Sequence, residues 1–437
     1  MPRTRFAVLT IALFSACRDP NPVPSRDAVD AGTAASARNT PPAPAPSSAT
    51  ALAFNAANRF SKNPYIPDVM ELGRTLFFDP ALSASHTLSC ASCHDPRFAY
   101  GPPNERSTQL GGPDSQSAGL RAVPSLRYQQ TLPRFSEHYF EEAADESADQ
   151  GPTGGHTWDG RADTLHDQAR LPLTSPLEMA NDSIESVVAK VEGASYAPRF
   201  KQLFGDDVFS DAKRASTAVL LSLEVFQQVP KDFYPYSSRY DAWLRKRGQL
   251  SAQELRGLAL FNDQNRANCA HCHPSQARSN GFPQFSDFGF AALGVPRNPS
   301  IPSNTDPSFF DLGLCGPLRT DLASHREYCG AFRAPSLRNV VLRKSFFHNG
   351  VFHHLEDVLN FYFTRDSNPS KWYPKNKPGA ARYDDLPADA QQNVNREPPF
   401  GRKPGQPPVL SNAEIKDLIA FLSTLTDEDL AANVAEP

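Results

Sequence analysis

Two short stretches bring thiols and imidazoles into one repeated spacing. "LSCASCH" holds Cys90, Cys93 and His94, and "NCAHCH" holds Cys269, Cys272 and His273. C-x-x-C-H is the attachment sequence of a c-type haem: both thiols join the porphyrin, and the adjacent imidazole is offered to the iron. One copy in a reducing compartment would read equally well as a metal or redox site. Two copies, each behind a similar amphipathic segment, read as two covalently bound c-type haems.

What faces the other side of each iron decides between carrying electrons and doing chemistry. Electron-carrying c haems use His/Met ligation, which raises the potential. The chain has three methionines, Met1, Met70 and Met179, and none follows Cys269. The second haem therefore takes a sixth ligand from His325, His348, His353, His354 or a tyrosine, or has none. For the first haem, no histidine lies between His94 and His138, and His156 and His166 are the formal candidates.

The elements that must hold these residues are helices. "PDVMELGRTLFFDP" precedes the first haem motif and "LSAQELRGLALFND" the second, each placing its apolar residues on one helical face. Ser251 with Glu254, and Ser411 with Glu414, form capping boxes. In "SNAEIKDLIAFLSTLT", Ile415, Leu418, Ile419 and Leu422 share a face. Sustained strand alternation is scarce, and 41 prolines imply much loop. These features predict an all-α protein of two cytochrome c-like haem domains, residues 51–245 and 246–437, with long loops.

The start of the chain reads as a processing signal. "MPRTR" is a basic n-region and "FAVLTIALFSA" a short apolar h-region, ahead of Cys17. Residues 1–16 are thus expected to be a signal peptide, with Cys17 a lipid anchor in the manner of bacterial lipoproteins. Residues 17–50 are rich in Pro, Ala and Ser and read as a disordered tether. The expected location is the periplasm, anchored to the outer membrane of a Gram-negative bacterium. No stretch is long and apolar enough to span a bilayer. A formal charge of −4 gives no basic excess for nucleic acid. Of seven cysteines, four serve haems and one the anchor; the remaining pair, Cys315 and Cys329, predicts a disulfide in an oxidising compartment. By the chain-entropy model such a bridge contributes about 3 kcal/mol.

Two longer stretches carry a resemblance. "GGHTWDGRADTLHDQARLPLTSPLEMAN" and "FRAPSLRNVVLRKSFFHNGVFHHLEDVLNFY", taken with both haem motifs, resemble the bacterial dihaem cytochrome c peroxidase and MauG family over about residues 60–425. The resemblance implies that His94 is the proximal ligand of a peroxidatic haem and His273 that of a second haem. It implies that the haems face the domain interface with Trp158 between them as electron or hole relay, and that Gln168, Pro172 and Glu178 belong to the distal pocket. Peroxide cleavage needs a proton moved between the two oxygens, and a carboxylate such as Glu178 can act as that acid–base. Gln168 can donate a hydrogen bond to the bound oxygen.

Departures within the family are informative. Many relatives carry a blocking histidine sixteen residues after the first C-x-x-C-H; here that position is Leu110. Tyr362, in "LEDVLNFY", stands where MauG-like proteins have a tyrosine ligand, and a phenolate favours the higher oxidation states of iron. An interdomain calcium site in the family uses an asparagine where this chain has Ala122, and Arg343 falls beside the other ligand positions. A cation there argues against Ca²⁺, while backbone carbonyls remain as donors. The resemblance implies hydrogen peroxide as substrate and a small cytochrome c or cupredoxin as electron donor. Its alternative is MauG-type oxidative modification of a partner protein; a pure electron-transfer dihaem cytochrome is the reading from another class. The acidic stretch 137–150 reads as a solvated loop.

Overall fold

The computed structural model describes residues 66–140, 149–276, 281–373 and 382–434. The signal peptide, Cys17 and the tether lie outside the described residues, as does most of the acidic stretch. Seven helices of nine residues or more organise the rest: α1 Ile66–Phe78, α2 Leu165–Thr174, α3 Ile184–Glu192, α4 Ala212–Phe226, α5 Ala252–Asn262, α6 Leu355–Thr364 and α7 Asn412–Ser423. Serine caps start α3, α5 and α7, each with a full capping box at Ser183, Ser251 and Ser411. None of the described helices is long and apolar enough to cross a membrane.

The same helix crossing is built twice. A Cβ on Gly73 of α1 would lie 1.9 Å from the Ser222 carbonyl oxygen of α4, and one on Gly257 of α5 would lie 2.0 Å from that of Asp417 on α7. Only glycine permits such approach. One turn further along, Phe77 meets Phe226 at 5.3 Å between ring centroids and Phe261 meets Phe421 at 5.1 Å. Aromatic pairs in this range add about 0.5–1.5 kcal/mol beyond their buried area. Each crossing anchors its own apolar core, one running from Leu72 to Phe233 and the other from Tyr240 to Leu425.

Between the helices the chain is mostly loop, with two small antiparallel sheets. β1 (Leu110–Gly111) pairs with β2 (Ser117–Ala118), and β3 (Phe290–Ala292) with β4 (Ala331–Arg333). Strands of two or three residues are too short to leave an alternation in the sequence. The architecture is helical, as expected, and the sheets act as local clips. Cys315 and Cys329 are joined by a disulfide.

Buried ion pairs stitch one core to the other. Arg127 binds Asp427 at 2.7 Å and Asp429 at 2.5 Å, while the Tyr128 hydroxyl donates to Asp427 at 2.5 Å. Arg121 joins Asp159 at 2.7 Å to Asp311 at 2.6 Å. Breaking a buried pair by removing one partner costs about 3–5 kcal/mol, because a lone charge is left behind. The segment from Asp427 onward thus returns from the second half to brace the first.

Candidate functional site

Each C-x-x-C-H sits in a tight helical turn just after its glycine helix, with the histidine at the turn's end. His94 Nδ1 lies 2.9 Å from the Tyr100 carbonyl and His273 Nδ1 2.8 Å from that of Phe285. A carbonyl only accepts, so each Nδ1 carries the proton and each Nε2 keeps its lone pair. Burial lowers the pKa of both imidazoles, that of His94 to about 4, so both rings are neutral at pH 7. Burial also raises all four thiols to about 12. They are uncharged in the protein, as thioethers are.

Each set opens into its own cavity. The His94 cavity has a volume of about 440 Å³, and Leu110, His156, Gln168, Pro172, Glu178 and Met179 help to line it. The His273 cavity is about 190 Å³, lined in part by Arg343, His348, Leu359, Tyr362 and Phe400. Two half-buried neutral thiols and one oriented imidazole beside a cavity fit a c-type haem in each place.

The wall opposite His94 comes from α2 and the loop after it. Thr164 caps α2 by accepting from the Asp167 N–H. Gln168 and Pro172 are four apart and share the cavity face. Pro172 has no N–H to give the Gln168 carbonyl, which breaks the helical ladder where the chain turns toward Glu178. The Glu178 carbonyl then accepts from the Gly112 N–H at 2.8 Å. Its side chain lines the cavity and is solvent-exposed there, with protein packed around the carboxyl. Desolvation raises its pKa above the ordinary carboxylate range, offset in part by the Ser175 hydroxyl and the Arg161 charge. A carboxyl so tuned can exchange protons nearer neutrality.

Trp158 lines both cavities. Its indole N–H donates to the Ala122 carbonyl at 2.7 Å, and its own carbonyl accepts from the Arg333 N–H at 2.9 Å. The turn that carries it needs left-handed backbone at Thr157 and Gly160. Asp159 locks that turn, accepting from Thr157 Oγ1 at 2.5 Å, Arg161 at 2.8 Å and Arg121 at 2.7 Å.

Tyr362 projects from α6 into the His273 cavity beside Cys269 and Cys272, stacked on Phe400 at 5.3 Å. Its hydroxyl has no hydrogen-bond partner among the described residues. Burial raises its pKa; a cation in the cavity acts in the opposite direction. Of the histidines considered for the second haem, His348 also lines this cavity, but its ring lies flat on Phe332 at 3.5 Å with Nε2 3.3 Å from Asp385. His353 bonds the Lys344 carbonyl, and His325 pairs with Glu327 at the surface. For the first haem, His166 is held by Glu224 at 2.5 Å, while His156 faces the cavity as a neutral imidazole, its pKa lowered to about 3 by burial. Met179 is packed into the first core.

The calcium position is filled by protein. Ala122 has no side-chain oxygen, and its carbonyl is taken by Trp158. The Arg343 guanidinium donates to the Ser345 carbonyl at 3.0 Å and the Val123 carbonyl at 3.2 Å. These residues do not fit a calcium ion; the guanidinium already satisfies the carbonyls. Sequence reasoning missed Asp159, Arg121, Asp311 and Arg333. Asp159 and Arg161 flank the tryptophan in "TWDGRA", which is the one local hint; Asp311 is far away in the chain.

Comparison with known proteins agrees with this geometry. The family model described as di-haem cytochrome c peroxidase matches residues 67–249. The chain is 34% identical to methylamine utilization protein MauG of Paracoccus denitrificans, over 82% of this chain and 88% of that protein. It is 28% identical to cytochrome c551 peroxidase of Nitrosomonas europaea, over 67% of this chain and 72% of that one. Among solved structures, the diheme peroxidase BthA of Burkholderia thailandensis superposes with a TM-score of 0.75 at 38% identity, covering 84% of this chain and 88% of that chain. With two C-x-x-C-H turns, two cavities and a tryptophan between them, the chain belongs to the di-haem cytochrome c peroxidase and MauG family of haem oxidoreductases.

Proposed function

We propose that this protein is an exported dihaem peroxidase of MauG-like type. It would have haem domains at 51–245 and 246–437, haems linked through Cys90/Cys93 and Cys269/Cys272, and a lipid anchor at Cys17. Hydrogen peroxide is reduced at the His94 site. The reading is carried by the unlike linings of the two cavities: Gln168, Pro172, Glu178 and Leu110 line the one that holds His94, whereas the Tyr362 phenol lines the one that holds His273.

When bound, the two haems supply the redox chemistry. The chain's own groups do the rest. Glu178 takes a proton from one peroxide oxygen and returns it to the other, which leaves as water. The Gln168 amide donates a hydrogen bond that orients the substrate, and Pro172 gives a wall without an N–H. Trp158 spans the cavities as the path for electrons, fixed by Ala122 and Arg333. Tyr362 and His273 would both hold the second haem. Electrons come from a small cytochrome c or cupredoxin.

A second reading is oxidative modification of a partner protein, favoured by the greater identity and coverage of the MauG relative. Steady-state turnover with peroxide and a reduced donor separates the readings. Fast turnover supports peroxide removal, slow turnover with a changed partner supports modification, and none leaves a simple electron carrier. The ferric spectrum tests the open site: a high-spin component is expected from the His94 haem. Purely low-spin signals from both haems would overturn it, and His156→Ala and Met179→Leu would then identify the blocking ligand.

A further inference from the structure

Buried arginines in this protein keep carboxylate company, with one exception on the haem cavities. Arg127, Arg319, Arg338 and Arg365 are all buried, and each binds an aspartate: Asp427, Asp321, Asp241 and Asp366 respectively. Arg333 is buried to the same degree, 7% exposed, yet forms no ion pair among the described residues. Its Nε donates to the Thr157 carbonyl at 3.2 Å. Its Nη1 is buried with no hydrogen-bond partner. Asp159 is near enough to feel the charge, but its oxygens are taken by Arg121, Arg161 and Thr157. The other titratable neighbour, His156, is neutral and offers no counter-charge.

Arg333 lines both cavities. It ends β4, opposite Phe290 in the sheet, and its N–H is bound to the Trp158 carbonyl. The guanidinium is therefore held rigidly on the shared wall, next to the tryptophan. An unpaired charge in such a place is strongly unfavourable unless a ligand brings the opposite charge. A c-type haem brings two propionate carboxylates, and a guanidinium fork matches a carboxylate in geometry and charge. Arg343 also lacks a carboxylate among the described residues, but its Nε and Nη2 donate to the Ser345 and Val123 carbonyls, and it lines the His273 cavity alone.

We infer that Arg333 anchors a haem propionate at the wall shared by the two cavities, and so sets the charge balance beside Trp158. The inference rests on the haem reading above and adds a cofactor-binding residue to it.

The test uses the holoprotein carrying haem ¹³C-labelled at its propionate carboxylates. Oxidised-minus-reduced infrared spectra follow the labelled band, and spectroelectrochemistry follows the ferric-to-ferrous ratio. In Arg333→Gln the labelled band shifts, and at fixed potential the ratio for one haem rises about tenfold, as expected for losing a charge about 10 Å from the iron. Arg333→Lys restores the ratio, because the charge is kept, while the band stays shifted, because the fork is lost. Unchanged bands and ratios in Arg333→Gln with both haems present would overturn the inference. Should Arg333→Gln fail to accumulate, Arg333→Lys decides alone: an unshifted band overturns it. Absence of haem from the native protein by the pyridine haemochrome assay would instead refute the haem reading itself.

Discussion

The indole N–H of Trp158 donates to the main-chain carbonyl of Ala122 at 2.7 Å, across the wall that divides the two cavities. The bond orients the ring and occupies a carbonyl on the first-half side of the calcium position. Replacing Trp158 by Phe keeps an aromatic ring but leaves that carbonyl unpaired. Stability falls by about 1–3 kcal/mol. Peroxide-driven oxidation of a reduced donor slows sharply while haem content is unchanged. Thermal unfolding and stopped-flow oxidation of a reduced cytochrome check the two effects; donor oxidation at the native rate would remove Trp158 as the path.

Glu178→Gln keeps the shape of the distal wall and removes its acid–base. Peroxide kcat/KM drops by about 10²–10⁴-fold. The pH profile is more discriminating. Desolvation by the surrounding protein raises the Glu178 pKa, so the carboxylate that accepts the proton is lost, as pH falls, at a pH above the ordinary carboxylate range. The native enzyme shows an acid limb there and Glu178→Gln has none. A limb that persists in the variant belongs to another group.

Tyr362→Phe removes one hydroxyl that has no hydrogen-bond partner among the described residues. Its effect on global stability stays within about 0.5 kcal/mol in the protein without haem. The spectrum of the His273 haem changes in the holoprotein. A native spectrum in the variant eliminates Tyr362 as the ligand.

The two glycine crossings answer to the same experiment. Gly73→Ala and Gly257→Ala each force a methyl group onto a backbone carbonyl at about 2 Å. Each lowers stability by about 1–3 kcal/mol or more. Gly193→Ala, at the end of α3, is the control, since its nearest neighbour would be 3.6 Å away. Equal melting temperatures for all three would show that the helices can spread.

Calcium should be irrelevant to this protein. Arg343 already donates to the Ser345 and Val123 carbonyls. Chelation with EDTA therefore leaves the melting temperature and the haem spectra unchanged, and metal analysis finds iron without stoichiometric calcium. A drop in melting temperature that added Ca²⁺ reverses would contradict this.

The residues that line the cavities were legible in short stretches, the two haem motifs by their spacing and Gln168, Pro172 and Glu178 through the family resemblance. C-x-x-C-H needs four bonds' worth of neighbours, and Gln168, Pro172 and Glu178 lie on one helix and its exit loop. The helices were legible for the same reason, through Ser251 with Glu254 and the apolar face of α7. What stayed hidden was long-range. The partners of Trp158 come from Ala122 and Arg333, and those of Arg127 lie 300 residues or more away. Ion pairs at such separations leave no periodicity to read. Neither did β3 and β4, whose three residues each are held by pairing with one another rather than by propensity.

That distant bracing has a consequence for how the protein is made. A chain is synthesised from its first residue onward, and Asp427 and Asp429 emerge 300 and 302 residues after Arg127. Until they do, Arg127 and Tyr128 lack their carboxylate partners, and the first core stands open on that flank. Cys90 and Cys93 thus pass through an interval in which their surroundings are unfinished, long after they themselves have appeared. Loss of the segment from Asp427 onward would turn that interval into the permanent state of the molecule.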